Sequence, residues 1–287
     1  MRPLRDVVQN FHVSNLRVSV IMAHNVIKEV ARRWGLPLAS SGSQLWGEYM
    51  AGTVMMSSFF KGEERVKLMV KAPNIQELYV ESLAAGEVRG KVVFVDNLLA
   101  EPQGSKGHMH ISKVLYGATK PYNTSIEASG FPELDWQRYF DVSEQTPTIV
   151  RIDSEAEEDH TRVCGLIVQS MPSKMTHERH FELEDLAFDK LPFLATELRN
   201  NTDMLGYINK LIPRSDITNK TCKRVPLDYF CRCSKKNYAQ RLREMGAFDL
   251  KQITGSAGVD LTCHFCNDAY HFSASELDTL IESLSKT

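Results

Sequence analysis

The sequence predicts an α+β protein: a mixed, mainly antiparallel sheet with packed helices, then a helical linker and a small cysteine-rich domain. Short segments rich in β-branched residues follow one another, with Gly, Pro and Asn turn signals between them, as in antiparallel strands. Two longer stretches near the N-terminus carry apolar residues in helical patterns. Four of the six cysteines fall into two tight pairs near the C-terminus, which indicates a separate small module.

The first third of the chain is predicted to place two helices among strands. Leu16–Ala23 alternates and is rich in Val and Ile, which predicts a strand. His24–Trp34 has apolar residues at helical spacing, and Ser41–Phe60 is apolar nearly all round, which predicts a buried helix. Further strands are predicted at Arg65–Lys71, Glu77–Leu83, Gly90–Asp96, Met109–Tyr116 and Thr124–Ala128.

The sheet is predicted to end with a helix and a hairpin. Leu134–Val142 has the composition of a helix, and strands are expected at Thr148–Ile152 and Arg162–Gln169. The acidic run Asp153–Asp159 between them is expected to form a solvated hairpin loop. Together these segments favour a mainly antiparallel sheet.

Residues 173–224 contain two leucine- and isoleucine-rich patterns that predict amphipathic helices. Pro192 interrupts the first, and the second ends before Pro213, with Leu205 and Ile208 expected on its apolar face. Such short helices are marginal alone and need packing of one face, which either an ordinary helical subdomain or a docked linker provides. The apolar positions are Leu183, Leu186, Leu191, Leu194 and Leu198, then Met204, Leu205, Ile208, Leu211 and Ile212.

The two cysteine pairs predict a four-thiolate zinc site with one zinc per chain. Twenty-nine residues separate the Cys-x-Cys pair from the Cys-x-x-Cys pair, and four thiolates can surround zinc tetrahedrally at about 2.3 Å. The alternative is a set of merely buried thiols. The expected ligands are Cys231, Cys233, Cys263 and Cys266.

The Cys-x-Cys pair could also form a reversible disulfide. Residues two apart have Cα atoms at most about 7 Å apart, at the edge of disulfide reach, so a disulfide there would be strained and reversible. His264 and His271 flank the site but are left out, because four thiolates already complete the tetrahedron. Cys164 lies in an apolar strand and is expected to be buried, whereas Cys222 is expected to be an exposed bystander.

Composition and the absence of certain motifs exclude several classes of function. The 287 residues are 43% apolar and 24% charged with a formal net charge of −2, which is ordinary for a globular protein and unlike a dedicated nucleic-acid binder. No apolar run approaches the roughly 20 residues that span a bilayer. Free thiols without a secretory signal indicate a reducing compartment, the cytoplasm or an organelle matrix. Phosphate-loop, dinucleotide and nucleophile-elbow motifs are missing, and a closed four-thiolate site leaves no position for substrate, so no enzymatic activity is expected.

Three further motifs occur in order along the chain: FKGEERV at 60–66, YF followed by SEQTPT at 139–148, and GLIVQSMP at 165–172. With the two cysteine pairs they closely resemble the thirty-three-kilodalton heat-shock family of redox-regulated holdase chaperones, from about Leu16 to Leu280. Three places depart from the family pattern, and one of them is the region from Leu98 to Gly107. Asn267 stands where a Gly often follows the last cysteine, and Ala72-Pro73-Asn74 replaces a Gly-rich turn.

The resemblance implies three parts: a substrate-binding domain at 1–172, a metastable helical linker at 173–224 and a zinc redox switch at 225–287. Oxidation of Cys231, Cys233, Cys263 and Cys266 to disulfides would release zinc, melt the switch and undock the linker from an apolar face of the sheet. Unfolding client proteins would then be held without ATP, and the active form is expected to be a homodimer. No membrane partner is expected.

A zinc-ribbon nucleic-acid binder is the rival prediction. The stretch from Lys210 to Lys251 has eleven Lys or Arg against four Asp or Glu, so this part of the chain is locally basic. The family resemblance explains the same charges as a solvated surface, which makes a nucleic-acid partner the less favoured prediction.

Overall fold

The structure is a computed structural model that describes residues 5–95, 106–158, 160–172, 180–188, 191, 194–200, 203–213, 217–218, 222–253 and 257–285. The chain divides into two compact units, Met1–Phe230 and Cys231–Thr287. The first unit therefore takes in the predicted substrate-binding domain, the predicted linker and the first residues of the predicted switch. The three-part functional division itself stays a prediction.

Two sheets form the frame of the first unit. One is a five-stranded antiparallel sheet with the strand order β10-β1-β2-β9-β8. Its strands are β1 (Val7–Val13), β2 (Leu16–Ala23), β8 (Thr148–Glu157), β9 (His160–Ser170) and β10 (Cys222–Pro226).

The second sheet has six strands in the order β11-β5-β4-β3-β6-β7, and only the short β11 runs parallel to its neighbour. The prediction of a mainly antiparallel α+β fold is confirmed. The strands are β3 (Arg65–Ala72), β4 (Ile75–Leu83), β5 (Glu87–Phe94), β6 (Gly107–Val114), β7 (Tyr122–Ala128) and β11 (Asp228–Tyr229).

Helices α1 (Asn25–Trp34), α2 (Ser41–Ser57) and α3 (Pro132–Tyr139) build the main core. Helix α2 is buried nearly all round, as its composition predicts, because it packs against strands of both sheets. Gly52 is needed in α2, since a Cβ there would lie 2.2 Å from the indole nitrogen of Trp136. The α2 helix ends at Ser57, three residues before the predicted end.

A second core lies on the opposite face of the five-stranded sheet. Helices α4 (Leu194–Asn200) and α5 (Met204–Leu211) cover this face. The predicted docking of helices from the 173–224 region on an apolar sheet face is therefore confirmed. The strand residues that the helices cover are Val7, Phe11, Val13, Leu16, Val18, Val20, Met22, Cys164, Leu166 and Val168.

Hydrogen bonds also hold the covering segment, residues 180–213, against the five-stranded sheet. Asn15, which is buried, accepts a hydrogen bond from the backbone N–H of Phe181 and donates one to its carbonyl, each at 2.9 Å. The carboxylate of Asp153 accepts a bond of 2.9 Å from the backbone N–H of Ala195. These bonds join the sheet to the backbone of the covering segment at two separate places.

Several sequence predictions need correction here. The acidic run at 153–159 was predicted as a loop, but β8 continues to Glu157, because Asp153 contacts α4 on one face and Ser154 contacts α2 on the other. Strand β1 was not predicted at all. Helix α3 begins at Pro132, and its last turn widens into a π-helix at Phe140–Glu144.

In the covering segment, the first amphipathic pattern forms a 3₁₀ turn at Leu183–Asp185 followed by α4, not one interrupted helix. Pro192 and residues 173–179 lie outside the described residues. Helix α5 ends before Pro213, as predicted. Ile208 is fully buried, but Leu205 is only half-buried; the buried face of α5 is Met204, Tyr207, Ile208 and Leu211.

The second unit is small. It consists of α6 (Lys235–Met245), α7 (Ala247–Ile253), a hairpin of β12 (Val259–Thr262) and β13 (Ala269–Phe272), and α8 (Ala274–Ser285). Its core among the described residues has six buried apolar side chains: Leu242, Leu250, Phe272, Leu277, Leu280 and Ile281. Across the described parts of the whole chain, no helix has the length and apolar character needed to cross a membrane.

Candidate metal centre

The turn between β12 and β13 presents one cysteine pair. The backbone N–H of Cys263 donates to the carbonyl of Asp268 at 2.8 Å, and that of Asn267 donates to the carbonyl of Cys263 at 2.9 Å. Asn267 has φ of +62°, so it takes the left-handed conformation, which Asn tolerates better than most residues other than Gly. The tight turn brings the Sγ atoms of Cys263 and Cys266 to the same side.

The other pair, Cys231 and Cys233, lies in the short irregular segment between β11 and α6. Ser234 then starts α6, and its side chain accepts a hydrogen bond from the N–H of Asn237. This N-cap stops the helix from running back through the cysteines. The pair therefore stays outside the helix, and its Sγ atoms lie close to those of the hairpin turn.

The structure brings together the four cysteines predicted as metal ligands. Their Sγ atoms all lie within 4.8 Å of one another, with 3.8 Å from Cys231 to Cys263 and 3.2 Å from Cys233 to Cys266. Four thiolates around a tetrahedral zinc would be roughly 3.8 Å apart. The donor set and spacing therefore fit a metal ion that prefers sulfur.

Burial differs between the two pairs. Cys263 and Cys266 are buried, whereas Cys231 and Cys233 are half-buried. The cysteines of the hairpin thus form the more buried side of the site, and the cysteines before α6 form the less buried side.

The turn also favours the thiolate form of one cysteine. Burial raises the pKa of Cys263, but hydrogen bonds from the backbone N–H groups of Phe265 and Cys266, together with those of the Cys266 and Tyr238 side chains, outweigh that effect. The result is a pKa lowered to about 7. Thiolates are the form that binds metals and reacts with oxidants.

Two tyrosines complete the surroundings. The hydroxyl of Tyr270 lies 3.1 Å from the Sγ of Cys233, and the hydroxyl of Tyr238 is hydrogen-bonded to Cys263. Their rings pack together with centroids 5.1 Å apart. Sequence reasoning missed both residues, since nothing but closeness in sequence to the cysteines marks them.

The flanking histidines stand apart from the cluster. His271 Nδ1 lies 2.8 Å from a carboxylate oxygen of Asp260, and the ring of His264 packs edge-on against Phe265. The candidate metal-binding group among the described residues consists of the four cysteines alone. Of the histidines far from these cysteines in the sequence, His110 has its Nδ1 2.8 Å from the Oγ of Ser125, and His177 lies outside the described residues.

The remaining two thiols lie in strands of the five-stranded sheet. Cys164 is fully buried, as predicted, and burial raises the pKa of its thiol well above the ordinary value. The prediction that Cys222 is exposed is wrong. It lies half-buried in β10 opposite Phe11, with its Sγ 3.7 Å from Gln9 Oε1, because β10 adds an edge strand to the five-stranded sheet.

Comparison with known proteins agrees with this architecture. A family model described as Hsp33 protein matches residues 6–273. The 33 kDa chaperonin of Desulforamulus reducens is 27% identical, with 95% of each chain covered, and that of Oceanobacillus iheyensis is 29% identical, covering 92% of this chain and 94% of its own. The crystal structure of the 33 kDa chaperonin of Thermotoga maritima superposes with a TM-score of 0.79 at 19% identity, over 99% of this chain and 100% of the other.

The two-sheet unit with its helical cover and the separate four-thiol module define a protein built from a large α+β unit and a small cysteine-rich one. With the family match extending over nearly the whole sequence, the chain belongs to the Hsp33 family.

Proposed function

We propose that this protein is a redox-regulated, ATP-independent holdase chaperone that binds unfolding proteins under oxidative stress. The observation that carries the proposal is the cluster of four thiols in a unit with very little core of its own. The relatives named 33 kDa chaperonin support the chaperone part. The sensing part rests on the chemistry of the cysteines.

Zinc is the proposed metal, one per chain, held by Cys231, Cys233, Cys263 and Cys266. Four soft thiolates in a compact group suit zinc, which would cross-link the hairpin to the segment before α6. All four positions of a tetrahedron would be filled by protein sulfur. Such a closed site is structural, so the proposal contains no catalytic step.

The second unit would depend on this cross-link. Its described core has six buried apolar residues, and small domains of this kind usually need a metal or disulfides to be stable. Structural zinc contributes about 10–16 kcal/mol of apparent binding free energy in small zinc peptides. The free energy lost with the cross-link should therefore exceed the free energy that the remaining packing supplies. The unit should then unfold.

Oxidation would remove the ligands. With a peroxide as oxidant, one thiolate attacks the peroxide oxygen, giving a sulfenic acid and hydroxide, and a second thiolate displaces hydroxide from the sulfenic sulfur to form a disulfide. Four thiolates and two hydrogen peroxide molecules thus give two disulfides and four hydroxide ions. Disulfide sulfur is a poor zinc ligand, so the ion would leave. The pairing of the four cysteines is left open.

Chain connectivity supports the next step. Strands β10 and β11 are edge strands of the two sheets and lead directly to Cys231. Strand β11 has only two residues, and its contacts with β5 include the bond from the N–H of Phe230 to the carbonyl of Val88. Unfolding of the second unit would destabilise these two edge strands. The α4–α5 segment, which lies between β9 and β10 in the chain, would then undock.

Undocking would uncover the binding surface. Beneath α4 and α5 lies a continuous apolar face of β1, β2 and β9, where side chains such as Phe11, Leu16 and Val18 are at most 1% exposed. An exposed apolar face of this size binds other apolar surface. Unfolded or aggregating client proteins are therefore the proposed partners. We place the active form as a homodimer and its site of action in a reducing compartment such as the cytoplasm.

The proposal is tested by the protection of an unfolding client. Reduced, zinc-loaded protein and peroxide-treated protein are each mixed with a chemically denatured client on dilution, and aggregation is followed by light scattering. The oxidised form should suppress aggregation at near-stoichiometric ratios, and the reduced form should not. Equal suppression by both forms would refute the switch and leave an unregulated chaperone.

A nucleic-acid-binding role would use the basic stretch from Lys210 to Lys251, which begins in the first unit and continues into the second. Several of its charges are already paired, such as Lys235 with Glu276 and Arg241 with Glu244. Such pairs weaken the field that would attract phosphates. Salt-dependent binding of RNA to the reduced protein would favour this rival function.

A further inference from the structure

The tyrosine pair at the metal centre has no role in the scheme above. Tyr270 lies in β13 and Tyr238 in the first turn of α6, so each comes from a different element. Both rings pack against the apolar core of the second unit and against each other. Their hydroxyls are therefore positioned by the packing of the rings against this core.

The direction of the hydrogen bonds follows from chemistry. A thiolate has no proton and can only accept, whereas a tyrosine hydroxyl can donate. When the four cysteines are thiolates, the Tyr270 hydroxyl donates to the Sγ of Cys233, 3.1 Å away, and the Tyr238 hydroxyl donates to the Sγ of Cys263. One sulfur of each cysteine pair thus receives a side-chain donor.

We propose that Tyr238 and Tyr270 are positioning residues that orient the Cys263 and Cys233 thiolates and restrain their oxidation, so that they set how much oxidant opens the centre. This inference rests on the redox switch proposed above. Groups around metal ligands orient them, and hydrogen bonds to sulfur draw electron density from it. A sulfur whose electron pair is engaged in such a bond attacks peroxide more slowly.

The size of the effect can be bounded. A hydrogen bond to a charged group changes an equilibrium by roughly ten- to a hundredfold, and thiolate nucleophilicity follows basicity with a slope of roughly 0.4–0.5. Removing one hydroxyl should therefore raise the rate of attack about three- to tenfold. No atom of the oxidation itself comes from the tyrosines: peroxide remains the oxidant, and hydroxide leaves as before.

The test compares Tyr270→Phe, Tyr238→Phe and the double variant with wild type. Tyr116→Phe, at a 95% exposed tyrosine of the first unit, is the neutral control, and Leu242→Ala, in the core of the second unit, is a purely destabilising control. Two readouts are used on the full chain. One is zinc release under peroxide, followed with a chromogenic chelator, and the other is the sulfur-to-metal charge-transfer band of cobalt-loaded protein.

Each tyrosine variant should release zinc about three- to tenfold faster than wild type. Its cobalt band should move to lower energy, because the sulfur electrons are no longer held by a donor. Leu242→Ala should leave the band in place even if it speeds release. Unchanged bands, with or without faster release, would overturn the inference. Shifted bands in a protein that keeps zinc under peroxide would support the hydrogen bonds and overturn the redox switch.

Discussion

The carboxylate of Asp153 in β8 accepts a hydrogen bond of 2.9 Å from the backbone N–H of Ala195, the second residue of α4. Burial raises the pKa of this carboxyl to about 6; the bond from Ala195 opposes the shift and the Glu133 carboxylate adds to it. The docked segment therefore covers a carboxylate that would be better solvated if α4 moved away. Asp153 both holds α4 in register and weakens its docking at neutral pH.

The pH dependence follows from the sign of this shift. A carboxyl whose pKa is raised by docking favours the docked state when protonated. Its contribution is fully present below its ordinary pKa of 3.8 and is lost as the pH rises through about 6. The difference of about 2 pKa units corresponds to about 3 kcal/mol at most.

We accordingly predict that Asp153→Asn tightens docking at pH 7.5, because the amide oxygen still accepts from Ala195 and no charge is buried. Protease cleavage within the 180–213 segment of the reduced protein should slow in the variant. The wild-type cleavage rate should rise between pH 5 and pH 7 relative to that of the variant. Glu184→Gln, at an exposed acid of the same segment, is the control. Identical pH profiles for wild type and Asp153→Asn would contradict the assignment.

A second prediction concerns the apolar face of α5. Ile208 is fully buried against the sheet, whereas Leu205 is half-buried. Ile208→Ser should remove about 2–4 kcal/mol of docking free energy, and Leu205→Ser should remove about 1 kcal/mol. The double variant should carry zinc, have a cleavable linker and protect clients while still reduced.

The single Leu205→Ser variant serves as the matched control for that experiment, because it changes the same helix at a less buried position. Light scattering and limited proteolysis are both measured in reductant. If the double variant is cleaved readily and yet protects nothing, the docked segment does not gate activity.

A third prediction separates the metal ligands from the structural thiols. Cys233→Ser should lower the zinc content of reduced protein below one ion per chain and loosen the second unit, because one thiolate is lost. Cys164→Ala should retain one zinc, since this thiol lies buried in β9 of the first unit. Metal analysis after purification in reductant with zinc supplied measures both. Full zinc retention by Cys233→Ser would remove this residue from the ligand set.

A fourth prediction tests the turn at the centre. Asn267 has a left-handed backbone with φ of +62°. Asn267→Val should cost about 1–2 kcal/mol, because β-branched residues tolerate that conformation poorly, and Asn267→Gly should be nearly neutral. Competition with a chelator should show weaker zinc retention only for the valine variant. Equal retention by both variants would mean that the turn does not shape the site.

Local patterns were enough to predict much of this structure. The bounds of β2 and the end of α5 before Pro213 agree with the sequence, because strand composition and proline act locally. The extension of β8 through an acidic run was missed, since α2 and α4, distant in sequence, cover its two faces. Cys222 was wrongly expected to be exposed, because β10 pairs with β1, which is distant in sequence.

At the candidate centre, the spacing of the two cysteine pairs was sufficient to predict that all four cysteines cluster. Tyr238 and Tyr270 were not found, because their approach to sulfur depends on how α6 packs against the hairpin. The buried acid Asp153 was likewise hidden in a run of charges. Its partner Ala195 is 42 residues away, and no local pattern links the two.

The central claim is that disassembly of the four-thiol centre undocks the α4–α5 segment and thereby uncovers the sheet face. The most direct measurement is hydrogen exchange of the full chain during peroxide treatment, with zinc release and client protection recorded on the same samples. Amides of α4, α5 and their sheet contacts should lose protection after zinc is released and in step with the onset of client protection, while α2 stays protected. Client protection that develops while α4 and α5 remain fully protected would contradict the account.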